Sequence, residues 1–556
     1  ATGGVPLLNA AWCACLLLLL SGCAEPETAQ PPTSEPPLAA DPAASPRPNF
    51  LLIVADDLGF TDLGAFGSEI PTPNLDRLAF GGLRLTSFHT GPACQETRAM
   101  LMSGRGSVSA IEQRPPRPAG ERANALRPDI ATLPELLRDA GYATYMSGKW
   151  DLGLTAESTP HARGFERSFA LLEASSSHFA EPFWEETSYY QEDDQPVPAL
   201  PGDFYSTTYY TDKLLEYLAA HDGGRPWFGY LAYTAPHWPL QVPEDWLDRH
   251  AGRYDAGYDA LREARFTASK AAGVMPKGAD LKTFKPVATP WSTLPEEHQR
   301  RYARTQEIYA AMVELMDQQI GRVIDELADS GQLDNTFIVF MSDHGASATD
   351  LGVAGISDHL PPHFARLMET RNNAYENFGR PGSFIDHGRG FGEAATAPLK
   401  HFKGTVSEGG IRAAAFVHYP PLIQRPKVDG TFMTVMDLLP TFLQLAGTRH
   451  PGNTVYNGRE VQDIRGRSLV PYLSGRSVTV HGSENAAGWH ARTVGANIKG
   501  RYKLTDQYPP GTWIPPEERT WRLYDLVADP GETWDISKNF PDRVASLKAK
   551  WEQDWK

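Results

Sequence analysis

One cysteine, Cys94, stands alone in the body of the chain, because the other three lie within the first 23 residues. Gly91-Pro92 interrupts the chain just before it, and residues 97–102 have a helical composition, which predicts that Cys94 lies near a helix N-terminus. The unpaired N–H groups at such an end attract anions and favour a thiolate over a thiol. Arg98 follows one helical turn later and can face the same site. A lone cysteine is usually an ordinary apolar core residue, so its surroundings must decide.

Two pairs of possible metal ligands each follow an apolar run. Asp56-Asp57 follows residues 50–55, and Asp343-His344 follows residues 336–341. Such runs are typical of strands buried in a parallel sheet, whose carboxyl ends gather ligands. Three carboxylates and an imidazole that meet there would repel one another without a cation, and oxygen ligands suit calcium or magnesium. One aspartate alone is more commonly a cap or turn residue; the repeated pattern indicates a metal site.

Helical and strand patterns alternate between these two pairs, and they must position the site. The alternation predicts an α/β fold with a large, mostly parallel sheet flanked by helices. The predicted segments are a helix at 132–140, a strand at 142–146, a helix at 209–221, a strand at 227–233 and a helix at 296–330.

After Gly447 the turn residues become denser and the apolar segments shorter. This change predicts a smaller C-terminal α+β subdomain, an antiparallel sheet followed by a terminal helix. We therefore expect a catalytic domain at residues 49–447 and a C-terminal subdomain at residues 448–556. The predicted subdomain elements are strands at 489–494, 497–504 and 521–526 and a helix at 542–555.

The first 23 residues have the pattern of a lipoprotein signal segment. Residues 16–20 are an unbroken leucine run, too short to span a membrane stably. Leu20-Ser21-Gly22-Cys23 resembles the bacterial lipobox, whose cysteine is lipidated. Residues 24–48, rich in Pro, Ala and Glu, predict a disordered tether. We expect an exported protein, periplasmic or at the cell surface, that touches the membrane only through a lipid on Cys23; a plain signal peptide is the alternative.

The formal net charge is −16, which argues against nucleic acid as a partner and against polybasic membrane binding. An acidic protein can still bind an anionic substrate. It then needs local cations and a metal that overcome the overall field.

The segment around Cys94 resembles the signature of the formylglycine-dependent (type I) sulfatases, in the bacterial arylsulfatase branch of the alkaline-phosphatase-like superfamily. That signature is Cys-x-Pro-Ser/Thr-Arg followed by Leu-x-Thr/Ser-Gly-Arg. Further segments resemble family motifs in the same order. They are Asp56-Asp57, Gly148-Lys149-Trp150, Ala235-Pro236-His237-Trp238-Pro239, Ser342-Asp343-His344-Gly345, Lys403-Gly404-Thr405, and Leu523-Tyr524-Asp525-Leu526 with Asp529-Pro530-Gly531-Glu532.

The resemblance implies a particular nucleophile and metal. In the family, the signature cysteine is oxidised to formylglycine by formylglycine-generating enzyme; one hydroxyl of the hydrated aldehyde attacks sulfur, and the other then expels sulfate. One divalent metal, calcium in the family, acts as Lewis acid. The implied metal ligands are Asp56, Asp57, Asp343, His344 and the modified Cys94.

The resemblance also assigns roles to the remaining polar residues. Arg98 would hold the diol and balance its charge. Lys149 and Lys403 would bind sulfate oxygens and stabilise charge that develops in the transition state. His237 would be the general acid for the leaving group.

Three residues depart from the family pattern. Glu96 stands where the family has the proline that the modifying enzyme reads. Asp151 stands where a histidine usually touches the sulfate, and His344 stands where asparagine is more usual. One hypothesis is that Asp151 and His344 changed together, either as a pair or as ligands of a metal that prefers nitrogen.

We therefore predict a sulfuric ester hydrolase, an arylsulfatase that acts on a small-molecule or glycan sulfate ester. One alternative is a phosphate or phosphonate monoester hydrolase on the same fold. The other is a catalytically silent sulfatase-like protein that binds a sulfated ligand, which Glu96 and Asp151 favour.

Substrate specificity is expected in loops at residues 173–201 and 350–389. The second loop is rich in histidine and aromatic residues, and it either lines an aryl pocket or packs as a surface loop. The residues concerned are His359, His363, Tyr375, Phe378 and His387.

Overall fold

The computed structural model describes residues 47–112, 124–183, 189–276, 279–351, 367–423, 425–482, 485–510 and 512–555. The predicted signal segment and nearly all of the predicted tether lie outside these residues, so both stay predictions. Within the described ranges, every helix is too short or too polar to span a membrane.

Twenty strands are described, and each is numbered in chain order. They are β1 Asn49–Ala55, β2 Leu83–Leu85, β3 Phe88–His89, β4 Ile111–Glu112, β5 Ala125–Leu126, β6 Ala143–Lys149, β7 Arg167–Leu171, β8 Tyr190–Glu192, β9 Gln195–Pro196, β10 Trp227–Ala232, β11 Thr336–Ser342, β12 Ala415–His418, β13 Lys427–Asp429, β14 Met433–Thr434, β15 Val455–Tyr456, β16 Arg459–Glu460, β17 Ala486–Ala491, β18 Val494–Lys499, β19 Tyr502–Thr505 and β20 Arg522–Asp525.

Ten strands form one sheet in the order β13-β2-β12-β11-β1-β10-β6-β7-β8-β9. The five strands β11, β1, β10, β6 and β7 are mutually parallel. Antiparallel pairs join β12 to β11 and to β2, β8 to β7 and β9 to β8. The prediction of a large, mostly parallel sheet is therefore confirmed, and its parallel part is the centre.

Helices cover both faces of this sheet, because each central strand is apolar on both sides. Leu51 and Ile53 of β1 face the core that contains the long helix Glu296–Asp329. Phe50 and Leu52 face the opposite core, which contains helix Cys94–Ser103. The other described α-helices are Pro73–Phe80, Ser107–Ala110, Leu133–Asp139, Ser206–Ala219, Gly257–Ala271, Gly388–Thr396, Glu408–Ile411, Leu438–Leu445, Val470–Leu473 and Pro541–Asp554.

The small C-terminal antiparallel sheet is confirmed, but it has four strands, in the order β17-β18-β19-β20. The predicted bounds were wrong because two predicted strands ran across hairpin turns. Arg492 and Gly500 lie in these turns with φ angles of 56° and 61°. Arg492 is not a typical residue for that conformation, so nothing in its type marked the turn. The domain boundary at residue 448 stays a prediction.

Candidate active site

The carboxyl ends of the central parallel strands bring the predicted site residues together. Asp56-Asp57 follows β1, Asp343 follows β11, and Lys149 is the last residue of β6. His237 lies a short distance beyond β10. Strand β1 pairs with β11 on one side and with β10 on the other. These segments, distant in sequence, therefore meet at one edge of the sheet, where open α/β sheets bind ligands.

Cys94 is the first residue of helix Cys94–Ser103, and its side chain is buried. Its Sγ lies 3.4 Å from Asp56 Oδ1 and 3.2 Å from His344 Nε2. Thr97 fixes the start of this helix, since its hydroxyl accepts from Gly91 N at 2.7 Å and donates to the Asp343 carbonyl at 2.5 Å. The predicted helix N-terminus is confirmed, and it places the sulfur in the acidic cluster.

The donor atoms around Cys94 suit a metal ion. Asp56, Cys94, Asp343 and His344 each offer a ligand atom within 4.8 Å of the others. Asp57 joins a second such group with Asp56, Cys94 and His237. Among the described residues, Asp57 Oδ2 is buried without a hydrogen-bond partner, which is costly unless a cation or proton satisfies it. The predicted ligand set therefore fits a divalent ion.

The imidazole of His344 is oriented to act as a ligand. Its Nδ1 lies 2.8 Å from the Gly345 carbonyl. A carbonyl only accepts, so Nδ1 carries the proton and Nε2 presents its lone pair. Nε2 lies 3.2 Å from Asp343 Oδ1 and 3.4 Å from Asp57 Oδ1. A metal-binding histidine usually donates a hydrogen bond from its other ring nitrogen in this way.

Three cations balance the three aspartates. Lys149 Nζ lies 2.5 Å from Asp56 Oδ2, and Lys403 Nζ lies 2.6 Å from Asp57 Oδ1. Arg98 NH2 lies 3.3 Å from Asp343 Oδ2 and 3.5 Å from Asp56 Oδ2. Arg98 and Lys149 are fully buried, so these pairs act in a medium of low dielectric constant, where they are strong.

The aspartates differ in their affinity for protons. Burial raises the pKa of Asp57 well above its usual value, and burial with the charge of Asp56 raises the pKa of Asp343 to about 7. Burial acts on Asp56 too, but Lys149 and other nearby cations outweigh it and hold the pKa of Asp56 well below its usual value. A bound divalent ion would take the place of the protons that Asp57 and Asp343 otherwise retain.

The prediction that the helix N-terminus favours a thiolate at Cys94 is wrong. Burial, followed by the charge of Asp56, raises the pKa of the Cys94 thiol well above its usual value. The helix N-terminus supplies only partial charges, and these do not compensate for a buried sulfur that faces a carboxylate. In the metal-free site, unmodified Cys94 is thus a protonated thiol and a poor nucleophile.

His237 faces the free oxygen of Asp57. Its Nδ1 donates to the Trp238 carbonyl at 2.6 Å, and its Nε2 lies 3.6 Å from Asp57 Oδ2. Burial and the nearby Lys403 lower the pKa of His237 well below its usual value. The ring is therefore neutral at neutral pH, with an unprotonated Nε2 directed at the site.

Asp151 is buried two residues after Lys149, in a left-handed backbone conformation with φ of 57°. In the described part of the chain, Asp151 forms no ion pair with His344, and neither group of possible metal ligands includes it. The hypothesis of an Asp151–His344 pair thus finds no contact to support it. Glu96 is half-buried in the first turn of the helix that begins at Cys94.

The described residues of the second predicted specificity loop follow the alternative of a packed loop rather than that of an aryl pocket. His359 and His363 lie outside the described residues. Phe378 is fully buried in the core, and His387 is tied to Gln306 Oε1 at 3.0 Å and to the Ser347 carbonyl at 2.8 Å. Tyr375 instead lies under the guanidinium of Arg300.

A different aromatic group lies beside the site. Trp238 is partly exposed, and its ring centroid is 4.3 Å from that of His237. Phe384 and Phe183 pack against it, with centroids 5.5 Å and 6.5 Å from that of Trp238. Trp238 stood inside the histidine motif of the sequence, directly after His237, and that adjacency was the available signal.

Comparisons with known proteins agree with this architecture. A family model described as Sulfatase matches residues 48–448. The chain is 42% identical over 536 residues to an uncharacterized sulfatase of Schizosaccharomyces pombe, covering 92% of this chain and 93% of the relative. It is 34% identical to an arylsulfatase of Klebsiella aerogenes, over 73% of this chain and 88% of that protein. The solved structure of Ps i-CgsB in complex with k-i-k-neocarrahexaose matches with a TM-score of 0.64 at 23% identity, covering 92% of this chain and 94% of that chain.

The sheet and the strand-end site define an alkaline-phosphatase-like hydrolase fold. The chain belongs to the sulfatase family, and it is a sulfuric ester hydrolase.

Proposed function

We propose that the protein is an arylsulfatase that cleaves the S–O bond of sulfate monoesters, with formylglycine formed from Cys94 and one calcium ion. The charge balance of the site carries this proposal. Arg98, Lys149 and Lys403 offset the three aspartates, so a divalent ion gives the buried site an excess of positive charge. That excess matches an anionic ester, which the protein's net charge of −16 would otherwise repel.

The calcium ion and the formylglycine would supply distinct chemistry. Calcium, held by Asp56, Asp57, Asp343 and His344, would supply Lewis acidity toward sulfate oxygens. Hydrated formylglycine at residue 94, produced by formylglycine-generating enzyme, would supply an oxygen nucleophile in place of the thiol.

The chain's own cations orient the ester. Lys149 and Lys403 each hold an aspartate in the structure, and each ammonium group has three donors, so others can bind sulfate oxygens. Both nitrogens are fixed by short ion pairs, so they stabilise developing negative charge without rearrangement. Arg98 is held by the Lys149 carbonyl at 2.9 Å and Tyr230 Oη at 3.2 Å, which aims its guanidinium at residue 94.

His237 would deliver the proton to the leaving oxygen. Its Nδ1–H is fixed on the Trp238 carbonyl, so any added proton goes to Nε2, the atom that faces the site. The negative charge of a bound ester favours that protonation. A phenolate leaving group needs this help less than an alkoxide, because it is the weaker base.

Export and lipidation at Cys23 form part of the same proposal. They rest on residues 1–23 alone.

Mass spectrometry of the peptide that spans Cys94 tests the proposal. Formylglycine replaces the thiol and one hydrogen with a carbonyl oxygen and makes the peptide lighter. We expect the lighter peptide and faster turnover of a chromogenic aryl sulfate than of the matched aryl phosphate. An unmodified peptide from the native host would contradict the formylglycine step, and faster phosphate turnover would favour the phosphatase alternative.

Replacing Trp238 with alanine should raise the KM for an aryl sulfate about tenfold, because loss of a ring contact and of buried apolar area costs about 1–2 kcal/mol. The backbone carbonyl that holds His237 remains, so kcat should change little. Steady-state kinetics with an aryl and a short alkyl sulfate measure both values. Trp246→Ala removes a partly exposed tryptophan elsewhere and serves as the control. An equal rise in KM for the alkyl sulfate would refute an aryl subsite at Trp238.

Asp151 should make substrate binding depend on pH. Burial raises the pKa of Asp151 to about 6, so the carboxyl is neutral at pH 5 and anionic at pH 7. The anion repels the ester. We therefore expect KM to rise about tenfold between these pH values, which corresponds to a repulsion of about 1.4 kcal/mol.

The Asp151→Asn variant should keep the low KM across this range. Inhibition by inorganic sulfate should follow the same profile, which separates binding from chemistry. Saturating calcium keeps the metal-binding aspartates ionised throughout. A wild-type KM that does not change with pH would disprove this role of Asp151.

A further inference from the structure

Residues 400–412, here called the Lys403 loop, contact three parts of the active site. Lys403 Nζ lies 2.6 Å from Asp57 Oδ1. The Lys403 amide donates to the Ala346 carbonyl at 3.1 Å, just beyond His344, and the Gly404 amide donates to the Pro92 carbonyl at 2.7 Å, just before Cys94. The position of this loop thus sets the position of the Lys403 ammonium group.

A buried charge cluster supports the loop from behind. Glu408 Oε1 lies 2.9 Å from Lys503 Nζ, and Glu408 Oε2 lies 3.0 Å from His89 Nε2. The Glu408 amide donates to Glu532 Oε2 at 2.7 Å. The side chains of Glu408, Lys503 and His89 are fully buried, and that of Glu532 is nearly so.

The C-terminal sheet supplies the cation of this cluster. Lys503 lies in β19, between the carboxylates of Glu408 and Glu532, and its Nζ is 3.0 Å from Glu532 Oε1. Burial alone would raise the pKa of Glu408, but Lys503, His89 and Arg412 together outweigh it and hold the pKa well below its usual value. Glu408 is therefore an anion, and without Lys503 its buried charge would lose its main compensation.

Two further hydrogen bonds reinforce the attachment. The Val406 amide donates to Gln507 Oε1 at 2.9 Å, and Lys400 Nζ donates to the Glu532 carbonyl at 3.3 Å. Glu532 belongs to the segment Asp529-Pro530-Gly531-Glu532, which has no role in the proposed chemistry. The loop therefore lies between the active site and the C-terminal sheet and is bonded to both.

We propose that Lys503 is a positioning residue that acts through Glu408 and the Lys403 loop to place Lys403 for sulfate binding. The C-terminal sheet thereby supports the active site through the Lys403 loop. This inference rests on the proposed role of Lys403 as a sulfate ligand.

Lys503→Met removes the charge and keeps much of the apolar stem. We expect the affinity for inorganic sulfate to fall about tenfold and kcat/KM for an aryl sulfate to fall about 100-fold, as for a small misplacement of a catalytic group. Hydrogen exchange should accelerate at the amides of residues 403–411. Arg501→Met serves as the control, because Arg501 adjoins the same strand and pairs with Asp525 at the surface, and it should change none of these values.

A double-mutant cycle separates positioning from general destabilisation. In a Lys403→Met background, Lys503→Met should weaken sulfate binding less than twofold, since the group it positions is gone. Additive losses in affinity would overturn the proposal. So would unchanged exchange of residues 403–411 in a folded Lys503→Met protein.

Gln507→Met provides a second variant that leaves all charges in place. It should accelerate exchange at Val406 and weaken sulfate binding about threefold, even if Lys503→Met does not fold. Unchanged values would count against the loop's attachment to the sheet. Sulfate binding and exchange do not depend on formylglycine, so failure of the wild type to hydrolyse aryl sulfates would refute the proposed function without deciding the role of Lys503.

Discussion

Replacing Cys94 with alanine should lower kcat for an aryl sulfate by a factor of about 10⁴ or more, as expected when a covalent nucleophile is lost. The structure gives no substitute nucleophile among the groups that contact Cys94, because its neighbours Asp56 and His344 belong to the proposed metal site. The alanine side chain fits the space of the thiol, so the fold should be retained. Single-turnover and steady-state assays, together with thermal unfolding, measure both effects.

Gln95→Ala is the matched control for Cys94. Gln95 lies in the same helical turn, and its amide donates to the Asp151 carbonyl at 3.1 Å. Its loss disturbs the start of the helix but not the sulfur, so activity should fall less than tenfold. If the Cys94→Ala protein kept more than a small fraction of wild-type activity, the nucleophile would have to be another group.

Glu96 is expected to limit the conversion of Cys94 to formylglycine. It occupies the position at which the modifying enzyme reads proline in the family, so the fraction of converted Cys94 sets the upper limit on activity. Glu96→Pro should raise that fraction in mass spectra if conversion is incomplete in the wild type, and kcat should rise in proportion.

The position of the site followed from local patterns in the sequence. Apolar runs such as residues 50–55 specify buried strands, and parallel strands place their carboxyl ends together. These two rules were sufficient to predict that Asp56-Asp57 and Asp343-His344 lie at one edge of the sheet. The family motifs added Lys149 and Lys403, whose surface-like residue type gives no hint that both form short ion pairs with aspartates in the site.

The energetics of the site could not be predicted in the same way. The sign of the Cys94 pKa shift depends on whether burial and Asp56 outweigh the helix N-terminus, and that comparison requires distances. The helix itself begins at Cys94 rather than at Thr97, and the preceding Ala93 has no capping side chain that would have marked this start in the sequence.

The contacts that hold the Lys403 loop in place could not be predicted from the sequence either. Lys503 and Glu532 lie 95 and 124 residues from Glu408 along the chain, and no local periodicity connects them. Only the packing of the C-terminal sheet against the loop brings these charges together.

Removal of the divalent ion by a chelator should lower kcat/KM about 1,000-fold, because Lewis acidity of this kind contributes several kcal/mol. The apparent midpoint of thermal unfolding should fall too, because an ion that binds only the folded protein adds its binding free energy to the stability. Added calcium should restore both values, and elemental analysis of the untreated protein should find about one divalent ion per chain. Full activity after exhaustive chelation would exclude a catalytic metal.

Two variants test which residues bind the ion. Asp343→Asn should abolish stoichiometric metal, whereas Asp317→Asn should not. Asp317 is equally buried but accepts from the Leu75 amide at 2.8 Å, in the first turn of helix Pro73–Phe80, so its loss should affect only stability.

His344→Asn introduces the residue more usual in the family and decides the choice of metal. An imidazole nitrogen binds zinc far better than an amide oxygen does, whereas calcium prefers oxygen. If calcium is the native ion, the variant should keep its calcium affinity and its activity. If the ion is one that prefers nitrogen, metal affinity should fall about 100-fold, and the loss should be larger for zinc than for calcium. Because His344 Nε2 lies 3.2 Å from Cys94 Sγ, the same variant also shows whether this ring is needed for the conversion of Cys94.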